Sequence, residues 1–104
     1  MRDVTVDVLA VALDEGALVI DVREHMEWQR GHIPGTRLLP MSQLGARVGE
    51  LDRSSRLYVI CQSGNRSAAM TDALRGMGFD AWNVQGGVNA WLRAGRGVAT
   101  GSAA

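Results

Sequence analysis

The chain has 104 residues, 46% of them hydrophobic and 21% charged, a composition ordinary for a globular protein and long enough for one compact domain with a real core. Its eleven basic and eleven acidic residues cancel, so no global field recruits nucleic acid or an anionic membrane, and partners have to be argued from a local site. Every basic residue is arginine, which removes lysine chemistry: no Schiff base and no Walker-type phosphate loop.

A single cysteine cannot form an internal disulfide, and Met1, Arg2 and Asp3 are not followed by the apolar core of a signal peptide; the expected compartment is the cytoplasm. The longest apolar runs, 8–13 and 57–61, fall far short of the ~20 residues that span a bilayer.

Between Thr5 and Gly16 the apolar positions Val8, Leu9, Ala12 and Leu13 recur at helical spacing, with Thr5 as N-cap and Gly16 as stop. The run 17–22, ALVIDV, is β-branched and aliphatic and predicts a strand covered on both faces. Residues 23–35 are polar, broken at Gly31, Pro34 and Gly35, and read as a connecting loop with one helical turn around Trp28. TRLLP then predicts a short strand, and Ser42 caps a helix carrying Leu44, Val48 and Leu51 on one face. RLYVIC repeats the buried-strand pattern, followed by a helix with Met70, Ala73, Leu74 and Met77 that stops at Gly78. DAWNVQ, 80–85, predicts another strand. Gly86 and Gly87 open a last helix with Val88, Trp91 and Leu92 on one face, and residues 96–104 read as a frayed tail. Strands alternating with helices give an α/β class, with a mainly parallel sheet and helices on both faces. Residues 4–95 hold no repeat, linker or low-complexity block and form a single domain core.

Ligands of open α/β sheets sit beyond the carboxyl ends of the strands, and Cys61 ends the strongest strand of this chain. The polar loop after it must turn into a helix within a few residues, and Gly64 permits the left-handed backbone of a tight arc. Loop N–H groups and the helix start near Arg66 then form a concave anion site around the thiol. Such surroundings lower a cysteine pKa from about 8.5 to about 3.5–7.5, leaving a thiolate nucleophile that needs no histidine. An unpaired cysteine usually acts as a small buried hydrophobe, but this one precedes six polar or glycine positions. The fork of Arg66 suits a small tetrahedral oxyanion.

The loop CQSGNRS, 61–67, resembles the active-site loop of rhodanese-type sulfurtransferases, a cysteine opening a six-residue loop that closes on arginine. DVRE (21–24), GHIPGT (31–36) and GGVNAW (86–91) resemble three further blocks of the rhodanese homology domain, in order. The resemblance implies the rhodanese fold in its single-domain form, a mainly parallel five-stranded sheet. It also implies a ping-pong transfer in which Cys61 takes the outer sulfur of thiosulfate or of a persulfide donor and passes it to cyanide or a thiol. The substrate-binding residues it implies are Gln62, Ser63, Gly64, Asn65, Arg66 and Ser67, whose N–H groups hold the persulfide while Arg66, Ser63 and Ser67 meet the oxyanion. Four residues separate Cys61 from Arg66, one fewer than in the cell-cycle type of phosphatase on this fold. Phosphatase or arsenate reductase, and a non-catalytic rhodanese-like binding module, are the alternatives.

Asp21, Arg23 and Glu24 are expected to brace the domain, as is His32. His25 and His32 lack the spacing of common zinc sites, so neither metal nor cofactor is called for. Trp28, Trp82 and Trp91 are expected in the core or a pocket wall. The partners implied are a small anionic sulfur donor, a thiol or cyanide acceptor and a sulfur-relay protein, with neither nucleic acid nor membrane.

Overall fold

A computed structural model describes residues 2–101. Among these the chain runs β1 (Asp3–Val4), α1 (Val6–Asp14), β2 (Leu18–Asp21), α2 (His25–Arg30), β3 (Arg37–Leu38), α3 (Met41–Arg47), a 3-10 turn (Val48–Glu50), β4 (Leu57–Ile60), α4 (Asn65–Gly76), β5 (Ala81–Val84) and α5 (Gly87–Arg93). The strands form one parallel sheet in the order β1-β5-β4-β2-β3.

Side chains alternate across the central strands and so build two cores. Tyr58 and Ile60 of β4 point to the face covered by α1 and α5, where they join Leu9, Val19, Val84, Val88 and Trp91. Leu57, Val59 and Cys61 point to the opposite face, with Ile20, Leu44, Leu74 and Phe79 beneath α3 and α4. The sulfur-bearing residue therefore ends a row of core side chains, which fixes where its Cβ points. Thr5 caps α1 as its sequence position predicts, its hydroxyl accepting the Val8 N–H at 3.3 Å.

Several local expectations are corrected. The polar stretch after β2 contains α2, a six-residue helix rather than a single turn, closed by a capping box between Glu24 and Glu27 and anchored by buried Trp28. Ser42 lies inside α3, which opens at Met41 with Pro40 in the cap position; its hydroxyl donates instead to the Glu24 carboxylate at 3.1 Å. The helix itself stops at Arg47, and Val48 belongs to the 3-10 turn before Leu51. Trp82 is only half-buried and carries the guanidinium groups of Arg2 and Arg56 over its ring, at 5.2 and 4.6 Å, whereas Trp28 and Trp91 are in the interior.

The segment after α5, expected to fray, makes defined contacts as far as residue 101. Ala99 exchanges backbone hydrogen bonds with His32 at 2.9 and 2.8 Å, the Gly101 N–H reaches the Gln29 carbonyl, and the Trp91 indole donates to the Gly97 carbonyl. Val98 packs on the α1/α5 core. The rest of the expected tail, 102–104, lies outside the described residues.

Candidate active site

β4 delivers Cys61 to the carboxyl end of the sheet, and the chain turns through Gln62–Gly64 into α4. Gly64 sits at φ +100°, the left-handed conformation the arc requires. The result aims the N–H groups of Gly64 and Ser67 at Cys61 Sγ, at 3.1 and 3.3 Å. Cys61 is 1% exposed. Burial pushes its thiol up, but hydrogen bonding from the Ser67 hydroxyl and from the N–H groups of Ser67, Gly64 and Ser63 outweighs that and holds the thiol below its ordinary value.

Ser67 has one hydroxyl proton, and in this geometry it goes to Asn83 Oδ1 at 2.6 Å. Asn83 is oriented by its own amide, which donates to Asp3 Oδ1 at 3.2 Å. The backbone N–H groups are therefore the fixed donors to sulfur, and the hydroxyl serves the sulfur only when its proton leaves Asn83.

The loop is held from behind by α5. The Val88 N–H donates to the Cys61 carbonyl at 2.9 Å and the Asn89 N–H to the Gln62 carbonyl at 3.0 Å. A Cβ at Gly87, which lies at φ +56°, would stand 2.2 Å from the Cys61 carbonyl oxygen, so glycine is what lets α5 approach. From the front, Arg23 grips Asp21 through Nε and Nη2 at 2.8–3.1 Å and donates from Nη1 to Gln62 Oε1 at 2.8 Å. Asp21 and Arg23 are both buried, and the pair acts as the expected brace. His32 is a second brace: it stacks on Trp28 at 3.7 Å with Nδ1 2.9 Å from the Trp28 carbonyl oxygen.

The structure thus brings Cys61, Gly64 and Ser67 together at the sulfur. Ser63 and Asn65 are exposed on the outer side of the loop. The Gln62 side chain is taken up between Arg23 and Asn89 Oδ1, the latter at 2.7 Å. Arg66, expected to offer its fork to an oxyanion, gives both terminal nitrogens to the Glu27 carboxylate at 2.7 Å. Arg66 holds Glu27 down to about 2 against the opposing effect of burial. Beside the loop opens a cleft of about 440 Å³ lined by the polar side chains of Arg23, Glu27, Arg30 and Gln62 and by the apolar ones of Leu92 and Val98. Sequence reading misses Glu27, Asn83 and Asp3. Glu27 carries one usable signal, its place three residues after Glu24 at a helix start; the other two carry none.

The chain is thus an open parallel α/β domain with a thiol seated in an N–H cradle where a helix starts. Residues 5–94 match the Rhodanese-like domain family, and the chain belongs to it. It is 35% identical over 79 residues to the putative sulfur carrier protein YrkF of Bacillus subtilis, covering 75% of this chain but 43% of that one. It is 35% identical over 78 residues to the thiosulfate sulfurtransferase GlpE of Pseudomonas putida, covering 74% of this chain and 71% of the relative. The crystal structure of a rhodanese-related protein from Thermoplasma volcanium superposes with a TM-score of 0.88 at 32% identity, over 95% of this chain and 98% of that one. Among the described residues no helix is long and apolar enough to cross a membrane.

Proposed function

We propose that this protein is a sulfurtransferase that carries sulfane sulfur on Cys61. The observation that carries the reading is the buried sulfur receiving the N–H groups of Gly64 and Ser67 in a loop that opens a helix. A thiolate is thereby stabilised without a neighbouring base, and the same donors serve a persulfide anion. The thiolate attacks the outer sulfur of thiosulfate, the new S–S bond forms on Cys61, and sulfite departs with the electron pair of the bond that breaks. An organic persulfide reacts likewise and expels its thiolate. A thiol or cyanide then takes the sulfur and returns Cys61 to its starting state. The names of the relatives, a sulfur carrier and a thiosulfate sulfurtransferase, support a donor, an acceptor and a relay partner of this kind. A lone thiol that must stay reduced suits the cytoplasm.

Intact-mass measurement after treatment with thiosulfate or a persulfide should show one added sulfur atom, absent in Cys61→Ser and removed by cyanide. No added mass from either donor, or addition that survives Cys61→Ser, would sink the reading. Hydrolysis of an aryl phosphate faster than sulfur transfer would move the assignment to the phosphatase alternative.

A further inference from the structure

The charges around the loop are arranged in an unexpected way for a site that is to receive a dianion. Arg23 is spent on Asp21, and Arg66 is spent on Glu27. Of the arginines lining the cleft, Arg30 alone makes no ion pair among the described residues. The Arg66–Glu27 contact is a fork-to-fork pair with both distances at 2.7 Å, the strongest geometry available to these groups.

Glu27 is also fixed in place. It is the third residue of α2, its Oε1 accepts the Glu24 N–H at 3.1 Å in the capping box, and its neighbour Trp28 is 2% exposed and anchors the helix. Its carboxylate stays ionised at any working pH. An incoming oxyanion therefore meets a fixed negative charge on the arginine that would otherwise receive it. The same cleft is lined in part by the apolar side chains of Val88, Leu92 and Val98.

We propose that Glu27 sets donor specificity: by occupying Arg66 it disfavours thiosulfate and leaves the site matched to a persulfide carried on an organic thiol. The proposal rests on the sulfurtransferase reading. Thiosulfate brings two negative charges and no carbon, whereas an organic persulfide brings one when ionised and none as the R–S–SH that reacts, and presents carbon to the apolar lining residues. The step it favours is attack of the Cys61 thiolate on the terminal sulfur of R–S–SH: the Cys61 S–S bond forms, the R–S bond to that sulfur breaks, and R–S⁻ leaves with the electron pair. The proton stays on the transferred sulfur until the product persulfide ionises, and no external oxidant or reductant enters.

The test compares kcat/KM for thiosulfate and for glutathione persulfide in the wild type and in Glu27→Gln, which keeps the carbonyl that accepts the capping N–H. Loss of one fixed charge beside a partly desolvated dianion should raise the thiosulfate-to-persulfide ratio by about tenfold or more, mainly through a lower KM for thiosulfate. In the double variant E27Q/R66Q the gain for thiosulfate should disappear, because the gain requires a released Arg66. A ratio that stays within about threefold of wild type in folded E27Q, or a gain that persists in the double variant, overturns the proposal while leaving sulfur transfer intact. Should E27Q fail to fold, Glu27→Ala is read by the same ratio. Wild-type protein that accepts sulfur from neither donor overturns both this proposal and the reading beneath it.

Discussion

Gly87→Ala tests whether α5 holds the loop. The added Cβ would stand 2.2 Å from the Cys61 carbonyl oxygen and 2.7 Å from that of Gln62, both backbone atoms that no rotamer change can move. The residue also sits at φ +56°. A side chain in that conformation costs about 1–2 kcal/mol, overpacking adds about 1–3, and the Val88 N–H to Cys61 carbonyl bond that must stretch contributes about 0.5–1.5. The expected destabilisation is about 2.5–6.5 kcal/mol against the ~5–15 kcal/mol typical of a whole domain. Gly16→Ala is the control, since Gly16 has φ +79° and nothing within 4 Å of the position a Cβ would take, leaving only the conformational cost of about 1–2 kcal/mol. Urea unfolding gives both losses, and thiol alkylation rates report the loop. Equal losses for the two variants, with Cys61 reactivity unchanged in Gly87→Ala, would refute the idea that close approach of α5 shapes the cradle.

Ser67→Ala should raise the Cys61 pKa through loss of the hydroxyl's hydrogen bond to sulfur, as read by thiolate absorbance against pH. An unchanged titration would mean that the hydroxyl never leaves Asn83. The Glu27 pKa is depressed on folding from 4.5 to about 2, chiefly by the Arg66 hydrogen bond against the opposing effect of burial. Its pairing therefore supports stability fully above about pH 4.5 and loses that support as pH falls toward 2. The stability difference between wild type and Glu27→Gln in urea should shrink over that interval; a difference independent of pH would contradict the pairing. Ending the chain after Arg96 removes the Ala99 pairing with His32 and the Val98 packing, and should cost about 2–4 kcal/mol in urea unfolding, with a loss below about 1 kcal/mol counting against a docked segment.

What the sequence makes legible here is what local chemistry encodes. The runs that become β2 and β4 are apolar without interruption because both faces are covered, and Thr5 and Gly64 advertise their backbone roles through side-chain type alone. β1 is two residues long and offers no period to read. Residues 99 and 101 pair through backbone groups, which any side chain can accompany, and their small neighbours look like those of a loose end. Ser42 is a good cap by type, yet Pro40 already sets an extended backbone and the preceding strand ends too close for a later start. At the site, the cysteine and its arc lie within seven consecutive residues, whereas Glu27 and Arg66 are 39 apart and Asp3 and Asn83 are 80 apart. Such pairs exist only once the sheet order has placed the ends of β2 and β4 side by side and β1 against β5.

The two outermost strands, β1 and β3, are each two residues long. An open sheet ordinarily exposes a row of unpaired N–H and C=O groups along each margin, a template on which a second copy can add its own strand. Margins this short offer little to copy, so the sheet is poorly suited to growing by edge pairing. The one thiol is buried as well, which hinders the other route to self-association, covalent pairing of two copies through sulfur. Short margins and a buried thiol thus belong to one layout: a sheet with its longer strands in the middle and the cysteine loop at their tips.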